Sequence, residues 1–144
     1  MTTERDIIRI GQHRVWIEEP YALVCQIEGD MTEQDLRRMR EVLDFIGGGQ
    51  GRVIIMQDLS KAGAFTAGAR KGIMDDKRTE RVETVICIGA SFQMRVFMGM
   101  ITKASKLVYP RMATVMFAKD ETEARGILEA ERQRLQSATN SDQA

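Results

Sequence analysis

Three short apolar runs, separated by helical patterns, constrain the fold of this chain most strongly. The runs are RVIIMQDLS at 52–60, ETVICIGA at 83–90 and ATVMFA at 113–118. Each run has the length of a strand and is apolar on both faces, which is typical of a strand that is covered on both sides. Strands that alternate with helices predict a parallel sheet with right-handed crossovers. The second part of the chain therefore predicts an α/β domain.

The first third of the chain predicts antiparallel strands instead. DIIRI and HRVWIEE flank the Gly11–Gln12 pair, which fits a hairpin loop, and YALVCQIEG follows a turn at EEPY. The predicted order is β-β-β-α-β-α-β-α-β-α. The expected fold is thus a mixed sheet with an N-terminal antiparallel meander, followed by alternating parallel strands and four helices.

Capping residues and glycines mark the predicted ends of the helices, because side-chain acceptors satisfy free amides and glycine ends a helix. The predicted signals are a capping box at Thr32 and Asp35, a stop at Gly47–Gly49, a polar helix over 66–82, a cap at Ser91 for a helix from Phe92 to Tyr109, and an opening at Asp120 and Glu123.

A chain of 144 residues suits one domain, which we place at 1–136, followed by a disordered tail SATNSDQA at 137–144. The 21 basic and 21 acidic residues balance, so no overall field attracts nucleic acid. No secretory segment or long apolar run is visible, which predicts a cytoplasmic protein without a membrane span. Cys25 and Cys87 lie in apolar runs and are interpreted as buried small hydrophobes, with a disulfide or a reactive thiol as the alternative.

The residue types that most enzymes need are scarce. The one histidine, His13, lies in the predicted hairpin and is interpreted as a surface residue, so no catalytic triad is expected. The cysteines lack metal-ligand spacing. GGGQGR at 47–52 precedes a strand, whereas a phosphate loop follows one, and Gly63 and Gly68 have the wrong spacing for a dinucleotide fingerprint. We therefore expect no enzyme activity, no metal and no cofactor.

The stretch VIIMQDLSKAGAFTAGAR, a strand that ends in Asp-Leu-Ser before a loop and a helix, resembles the STAS domains of sulfate transporters and anti-sigma-factor antagonists. The order of elements is similar over most of residues 13–136. IGASFQMRVF at 88–97 is closer to stand-alone bacterial STAS-like proteins, which are grouped with CRAL-TRIO-type lipid-binding domains.

The resemblance implies a phosphorylation site, but the sequence of this chain differs from the family at that site. In the antagonists the loop ends in Asp-Ser-Ser-Gly, and a serine there is phosphorylated by a partner kinase, the anti-sigma factor. Counting from Asp58 places the two serine positions on Ala67 and Gly68, so the usual phosphoacceptor is missing. Thr66 and Ser60 are the remaining phosphorylation candidates. Thr66 is also interpreted as the N-cap of the helix, and Ser60 as a partner of the loop backbone.

The helix at 91–110 carries two apolar stripes, which is more than a surface helix needs. Three explanations stay open: packing under the sheet and a neighbouring helix, self-association into a homodimer, or an apolar ligand beneath the helix. Arg95 is predicted to pair with Asp58, and Phe65 is interpreted as core or contact. The predicted partner or ligand surface comprises Asp58, Phe65, Arg70, Met94, Arg95, Phe97, Met98 and Ile101.

Taken together, the residues and the resemblance predict a non-enzymatic STAS-like module that acts through protein contacts in bacterial regulation, with a kinase-like anti-sigma factor as the partner that the resemblance implies. The alternative is a small carrier of a lipid or another apolar ligand, as the CRAL-TRIO resemblance implies.

Overall fold

A single mixed sheet forms the centre of the molecule. The computed structural model describes residues 6–108 and 113–143. The sheet order follows the chain and comprises β1 (Ile8–Ile10), β2 (His13–Glu18), β3 (Ala22–Met31), β4 (Val53–Phe65), β5 (Val82–Ile88) and β6 (Thr114–Ala118). β1, β2 and β3 pair antiparallel, whereas β3 to β6 pair parallel. The predicted meander and parallel sheet are both confirmed.

Four α-helices cover the sheet, as predicted. They are α1 (Glu33–Val42), α2 (Ala67–Asp75), α3 (Phe92–Val108) and α4 (Glu121–Gln143). Within the described residues, no helix is long and apolar enough to cross a membrane. α4 continues through Gln143, so residues 137–143 are helical where the sequence predicted a disordered tail. The predicted end of α3 at Tyr109 lies outside the described residues.

The sheet separates two hydrophobic cores. Leu36 of α1, Ile73 of α2 and Met98 of α3 pack on one face. Leu128 and Leu135 of α4 pack on the other face, with side chains from β2 to β6. Because β3 to β6 follow one another in order, right-handed crossovers place all three connecting helices on the same side. Among the described helices, only α4 packs on the second side.

Local capping residues begin three of the helices where the sequence predicted them. The Thr32 hydroxyl accepts from Asp35 N at 3.1 Å, and the Asp35 carboxylate accepts from Thr32 N, which completes the capping box of α1. Ser91 Oγ accepts from Met94 N at 3.1 Å, and Asp120 Oδ1 accepts from Glu123 N at 2.9 Å. These predictions are confirmed because each cap depends only on residues three positions apart.

The glycine stop after α1 is more elaborate than predicted. A 3-10 segment, Leu43–Gly49, follows the helix, and Gly47 and Gly48 adopt positive φ angles. The Arg81 guanidinium holds this segment by donating to four carbonyl oxygens, those of Leu43, Ile46, Gln50 and Gly51, at 2.6 to 3.0 Å. One arginine from a distant part of the chain therefore supplies donors to carbonyls of this segment and of the loop that follows it.

The predicted polar helix over 66–82 is shorter in the structure. α2 ends at Asp75, and a separate 3-10 turn, Lys77–Arg81, follows. Asp76 separates the two and accepts from Arg78 N at 2.9 Å through its carboxylate. An aspartate that bonds to the backbone two residues ahead favours such a break, because it competes with the helical bonds.

β4 is longer than the sequence predicted. The predicted strand ended at Ser60, followed by a loop, but pairing with β3 continues to Phe65 past two irregularities. Gly63 allows the approach, because a Cβ at this position would lie 2.2 Å from Asp30 Oδ1. The same carboxylate accepts from Ala64 N at 2.8 Å. Most of the predicted loop is therefore a strand extension.

The histidine is buried, which corrects its interpretation as a surface residue. The side chain of His13 is 1% exposed, and its Nδ1 accepts from Glu28 N at 3.1 Å. Its Nε2 lies 3.1 Å from Asp30 O and 3.3 Å from Asp35 Oδ2. The imidazole thus joins β2, β3 and α1, with both ring nitrogens occupied.

Both cysteines behave as buried hydrophobes. Cys25 and Cys87 are free and buried. Burial raises the pKa of Cys25 to about 12 and that of Cys87 to about 11. The thiols are protonated at neutral pH, so neither is activated as a nucleophile.

Candidate functional site

The junction between β4 and α2 is built by short-range hydrogen bonds. Asp58 Oδ1 accepts from Ser60 N at 2.9 Å and from Ser60 Oγ at 2.7 Å. Thr66 is the N-cap of α2, and its hydroxyl accepts from Ala69 N at 3.2 Å. Thr66 N donates to Met31 O at 3.0 Å, which fixes the start of α2 against β3. The predicted capping role of Thr66 is confirmed, and Asp58 caps the amide of Ser60. Phosphorylation of Thr66 or Ser60 stays a prediction.

The capping role predicts the effect of removing the Thr66 hydroxyl. Thr66→Ala is expected to lower the free energy of unfolding by about 1 kcal/mol, since the Ala69 amide loses its acceptor. Thr66→Ser keeps the oxygen and is expected to retain wild-type stability. Urea unfolding followed by circular dichroism measures both variants. Equal stability of Thr66→Ala and the wild type would contradict the capping role.

An aromatic contact joins this junction to α3. The rings of Phe65 and Phe97 lie 5.5 Å apart at an angle of 56°. The Arg70 guanidinium lies 5.9 Å from the centre of the Phe97 ring. Three predicted surface residues from β4, α2 and α3 are therefore brought together. Phe65 and Phe97 are half-buried and pack against the core, so the interpretation of Phe65 as a core residue describes its position.

The two apolar stripes of α3 have different surroundings. Met94, Phe97 and Ile101 are half-buried against the core, and Met98 is buried. These four residues were predicted as a partner or ligand surface, but they face inward. Met98 is inaccessible to a protein partner, so of its two predicted roles only contact with an internal ligand fits its position. The second stripe is exposed: Phe92 by 75%, Val96 by 46%, Met100 by 66% and Leu107 by 88%.

The predicted ion pair between Arg95 and Asp58 does not form among the described residues. Asp58 is occupied by Ser60, and Arg95 is exposed. Arg95 instead borders an open cleft with Lys119 and Glu123, at the end of the sheet where β5 and β6 finish. The prediction failed because the Asp58 carboxylate accepts from the amide and the hydroxyl of Ser60 in its own turn.

A small internal cavity lies between the sheet and the helices α1, α2 and α3. Its volume is about 80 Å³. Most of its wall is apolar, and the polar side chains in the wall come from Cys25, Arg40, Gln57, Thr79 and Thr102. No aspartate or glutamate of the described residues lines it. The inner stripe of α3 contributes Met98 and Ile101, so the cavity is where an internal ligand would lie.

Arg40 is the unusual member of this wall. Its Nε and Nη1 atoms are buried and have no hydrogen-bond partner among the described residues. Burial lowers the pKa of Arg40, whereas the negative charge of Asp76 acts to raise it. The Asp76 carboxylate hydrogen-bonds to Arg78 instead, at 2.9 Å to its N and 3.1 Å to its Nε. Arg40 therefore has an acidic neighbour but no bond to it.

The sequence itself carries a signal for Arg40. Arg40 follows Leu36 by four positions and precedes Leu43 by three, so helical spacing places it on the apolar face of α1. A charged residue at such a position is either paired by a distant group or left with unused donors. The pairing depends on tertiary structure, which explains why the pattern alone did not single it out.

The comparisons agree with this architecture. No protein-family model and no curated protein matches the sequence. Among solved structures, the anti-sigma factor antagonist SpoIIAA in its unphosphorylated form is similar with a TM-score of 0.52 and 13% identity, over 81% of this chain and 97% of that one. An uncharacterized protein from Shewanella loihica PV-4 is similar with a TM-score of 0.56 and 16% identity, over 89% of this chain and 98% of that one.

Both neighbours share the SpoIIAA-like fold, and both are covered almost completely by this chain. The resemblance seen in the sequence is thus confirmed for the fold: this chain has the SpoIIAA-like fold of STAS domains.

Proposed function

We propose that this chain is a non-enzymatic interaction module that binds a protein partner through the outer face of α3. The observation that carries the proposal is the exposed stripe of Phe92, Val96, Met100 and Leu107. Residues four and seven positions apart lie on one side of a helix, so these side chains form one continuous apolar surface. Large apolar surfaces of this kind on a folded domain are typical of interaction sites.

The charge of α3 supports one kind of partner. α3 contains Arg95 and Lys103, both exposed, and has no acidic residue anywhere in its sequence. A second copy docked on the same face would bring like charges together without a compensating carboxylate. A different protein, with an apolar surface flanked by aspartate or glutamate, fits both properties of α3. The outer face therefore favours a heterologous acidic partner over a homodimer.

The neighbouring structure supports this class of function. SpoIIAA is an anti-sigma factor antagonist, a name that describes action on another protein. An anti-sigma factor is accordingly one candidate partner for this chain. The fold alone carries this comparison, so the identity of the partner is part of the proposal.

Regulation by the usual phosphoacceptor does not suit this chain. A Cβ at Gly68 would lie 3.0 Å from Glu33 Oε2 and 3.1 Å from Glu33 Cβ. A phosphorylated side chain at this position would meet a carboxylate, and like charges at such a distance repel. Ala67 and Gly68 also carry no hydroxyl that could accept a phosphoryl group, so a phosphorylation switch at this junction would have to use Thr66 or Ser60.

A charge in the centre of the stripe tests the proposal. Met100→Glu is expected to weaken the partner complex at least about tenfold, since it buries a carboxylate at the centre of the interface. Ala130→Glu on the exposed side of α4 adds the same charge elsewhere and serves as the control. Both variants are expected to retain wild-type stability within about 0.5 kcal/mol, because both positions are exposed.

The measurement combines two steps. Proteins cross-linked to the tagged wild type are identified, the specific one is purified, and its affinity for the three proteins is measured by titration calorimetry at two salt concentrations. We expect the partner to bind the wild type and Ala130→Glu with equal affinity and Met100→Glu more weakly. Higher salt is expected to weaken binding further, because it screens the attraction between the acidic partner and α3. Equal affinity for wild type and Met100→Glu would overturn the proposal. A wild-type dimer in sedimentation equilibrium that dissociates on Met100→Glu would also overturn it, in favour of self-association.

A further inference from the structure

We propose that the internal cavity binds a short aliphatic carboxylate, with its anionic group beside Arg40 and its alkyl chain among the apolar side chains of the wall. The inference is independent of the interaction proposed for α3. It depends on one charged side chain and on the shape and lining of the cavity.

The unpartnered donors of Arg40 suit an anionic ligand. Nε carries one N–H and Nη1 carries two, and none of these donors has an acceptor within the described part of the chain. Buried donors of a cation are costly to leave without acceptors. The carboxylate of Asp76, whose field acts on Arg40, is bonded to Arg78, and no described aspartate or glutamate lines the cavity. An anion that enters from outside is the missing partner.

The lining of the cavity selects an aliphatic ligand. Met31, Ile55 and Val85 from the sheet and Met98 and Ile101 from α3 contribute apolar surface. An apolar cavity of about 150 Å³ accommodates benzene, so about 80 Å³ holds about three carbon atoms. A carboxylate of about four carbons, such as butyrate, places that many methyl and methylene groups in the cavity while its oxygens accept from Arg40.

An open cleft provides the route to Arg40. Leu36 and Arg40 line both the internal cavity and a cleft of about 450 Å³ between α1, α2 and the 3-10 turn Lys77–Arg81. The cleft is bordered by five basic and three acidic residues. This excess of basic residues attracts a small anion to the side of the molecule where the guanidinium lies.

Methionine methyl groups report binding directly. Met31, Met39 and Met98 line the cavity, whereas Met100 is exposed on the other side of α3 and serves as a control in the same spectrum. The probe is sodium butyrate, added to protein with ¹³C-labelled methionine methyls. We expect saturable shifts of the three cavity methyls and none at Met100. 1-Butanol tests the contribution of the alkyl chain alone, and sodium chloride tests that of the anion alone.

Two variants separate the guanidinium from its surroundings. Arg40→Met is expected to weaken butyrate binding at least about tenfold, the loss of one charge-assisted hydrogen bond. Arg38→Met removes an exposed arginine of α1 that borders neither the cavity nor the cleft, and it is expected to bind butyrate as the wild type does. The methyl spectrum also shows whether each variant is folded. Ala113→Leu fills the cavity with Arg40 in place, and it is expected to abolish the shifts.

Three results would overturn the inference. Wild-type cavity methyls that do not respond to butyrate would show that the carboxylate does not bind. Equal responses to butyrate and 1-butanol would show a purely apolar cavity. Equal responses to butyrate and chloride would show an anion site without selection for the alkyl chain.

Discussion

Replacing Arg40 with methionine is expected to raise the free energy of unfolding of the ligand-free protein by about 1–3 kcal/mol. The guanidinium keeps buried N–H groups without acceptors in the folded state, whereas water satisfies them in the unfolded state. Methionine has a similar length, is apolar and adapts to irregular spaces. It therefore removes the cost of the buried charge while it keeps most of the packing beside Leu36 and Leu43.

Urea unfolding of the wild type, Arg40→Met and Arg37→Met measures this effect. Arg37 forms only an exposed pair with Glu33, so its replacement is expected to change stability by less than about 0.5 kcal/mol. Destabilisation by Arg40→Met would contradict the view that the guanidinium lacks a partner. Added butyrate is expected to reduce the difference between Arg40→Met and the wild type, because it stabilises only the protein that binds it.

Replacing Arg81 with methionine is expected to have the opposite result, a loss of about 2–4 kcal/mol. Its four carbonyl acceptors lie in the 3-10 segment Leu43–Gly49 and in the loop that follows. The carbonyls of Leu43 and Ile46 are the more buried ones, so these two would remain without a donor in the variant. The glycines of this segment have no side chains that could replace the lost bonds.

Arg81→Lys tests whether the planar shape of the guanidinium matters. Lysine keeps the charge but cannot reach four carbonyls in different directions, so we expect a stability between those of the wild type and Arg81→Met. Lys77→Met, at an exposed position of the same 3-10 turn, is the control. The measurement is urea unfolding followed by circular dichroism. Wild-type stability of Arg81→Met would contradict a structural role of these bonds.

Features that depend on neighbouring residues were predictable from the sequence. The cap at Thr32 and the cap at Ser91 each involve an amide three positions along the chain. The central strands were recognised because continuous apolar runs such as VIIM require cover on both faces. Element order and fold class followed from these local signals, and so did the small-residue start of α2 at Thr66.

Features that depend on distant contacts were not predictable. The extension of β4 to Phe65 requires pairing with Met31 and the close approach of Gly63 to Asp30. His13 can be buried because Glu28 N and Asp30 O contact its two ring nitrogens. No local sequence pattern predicts these contacts. The candidate sites follow the same rule: the stripes of α3 were visible in the sequence, but only the packed structure distinguishes the inner stripe from the outer one.

The one-sided arrangement of the three connecting helices affects how the chain can fold as it is synthesised. Trp16, Ile54, Met56 and Ile86 lie on the sheet face that α4 alone covers. α4 follows every strand along the chain, so all six strands emerge from the ribosome before the helix that covers this face. A growing chain would thus have one completed hydrophobic core and one exposed apolar sheet face. Exposed apolar surface of this kind promotes aggregation and is bound by chaperones.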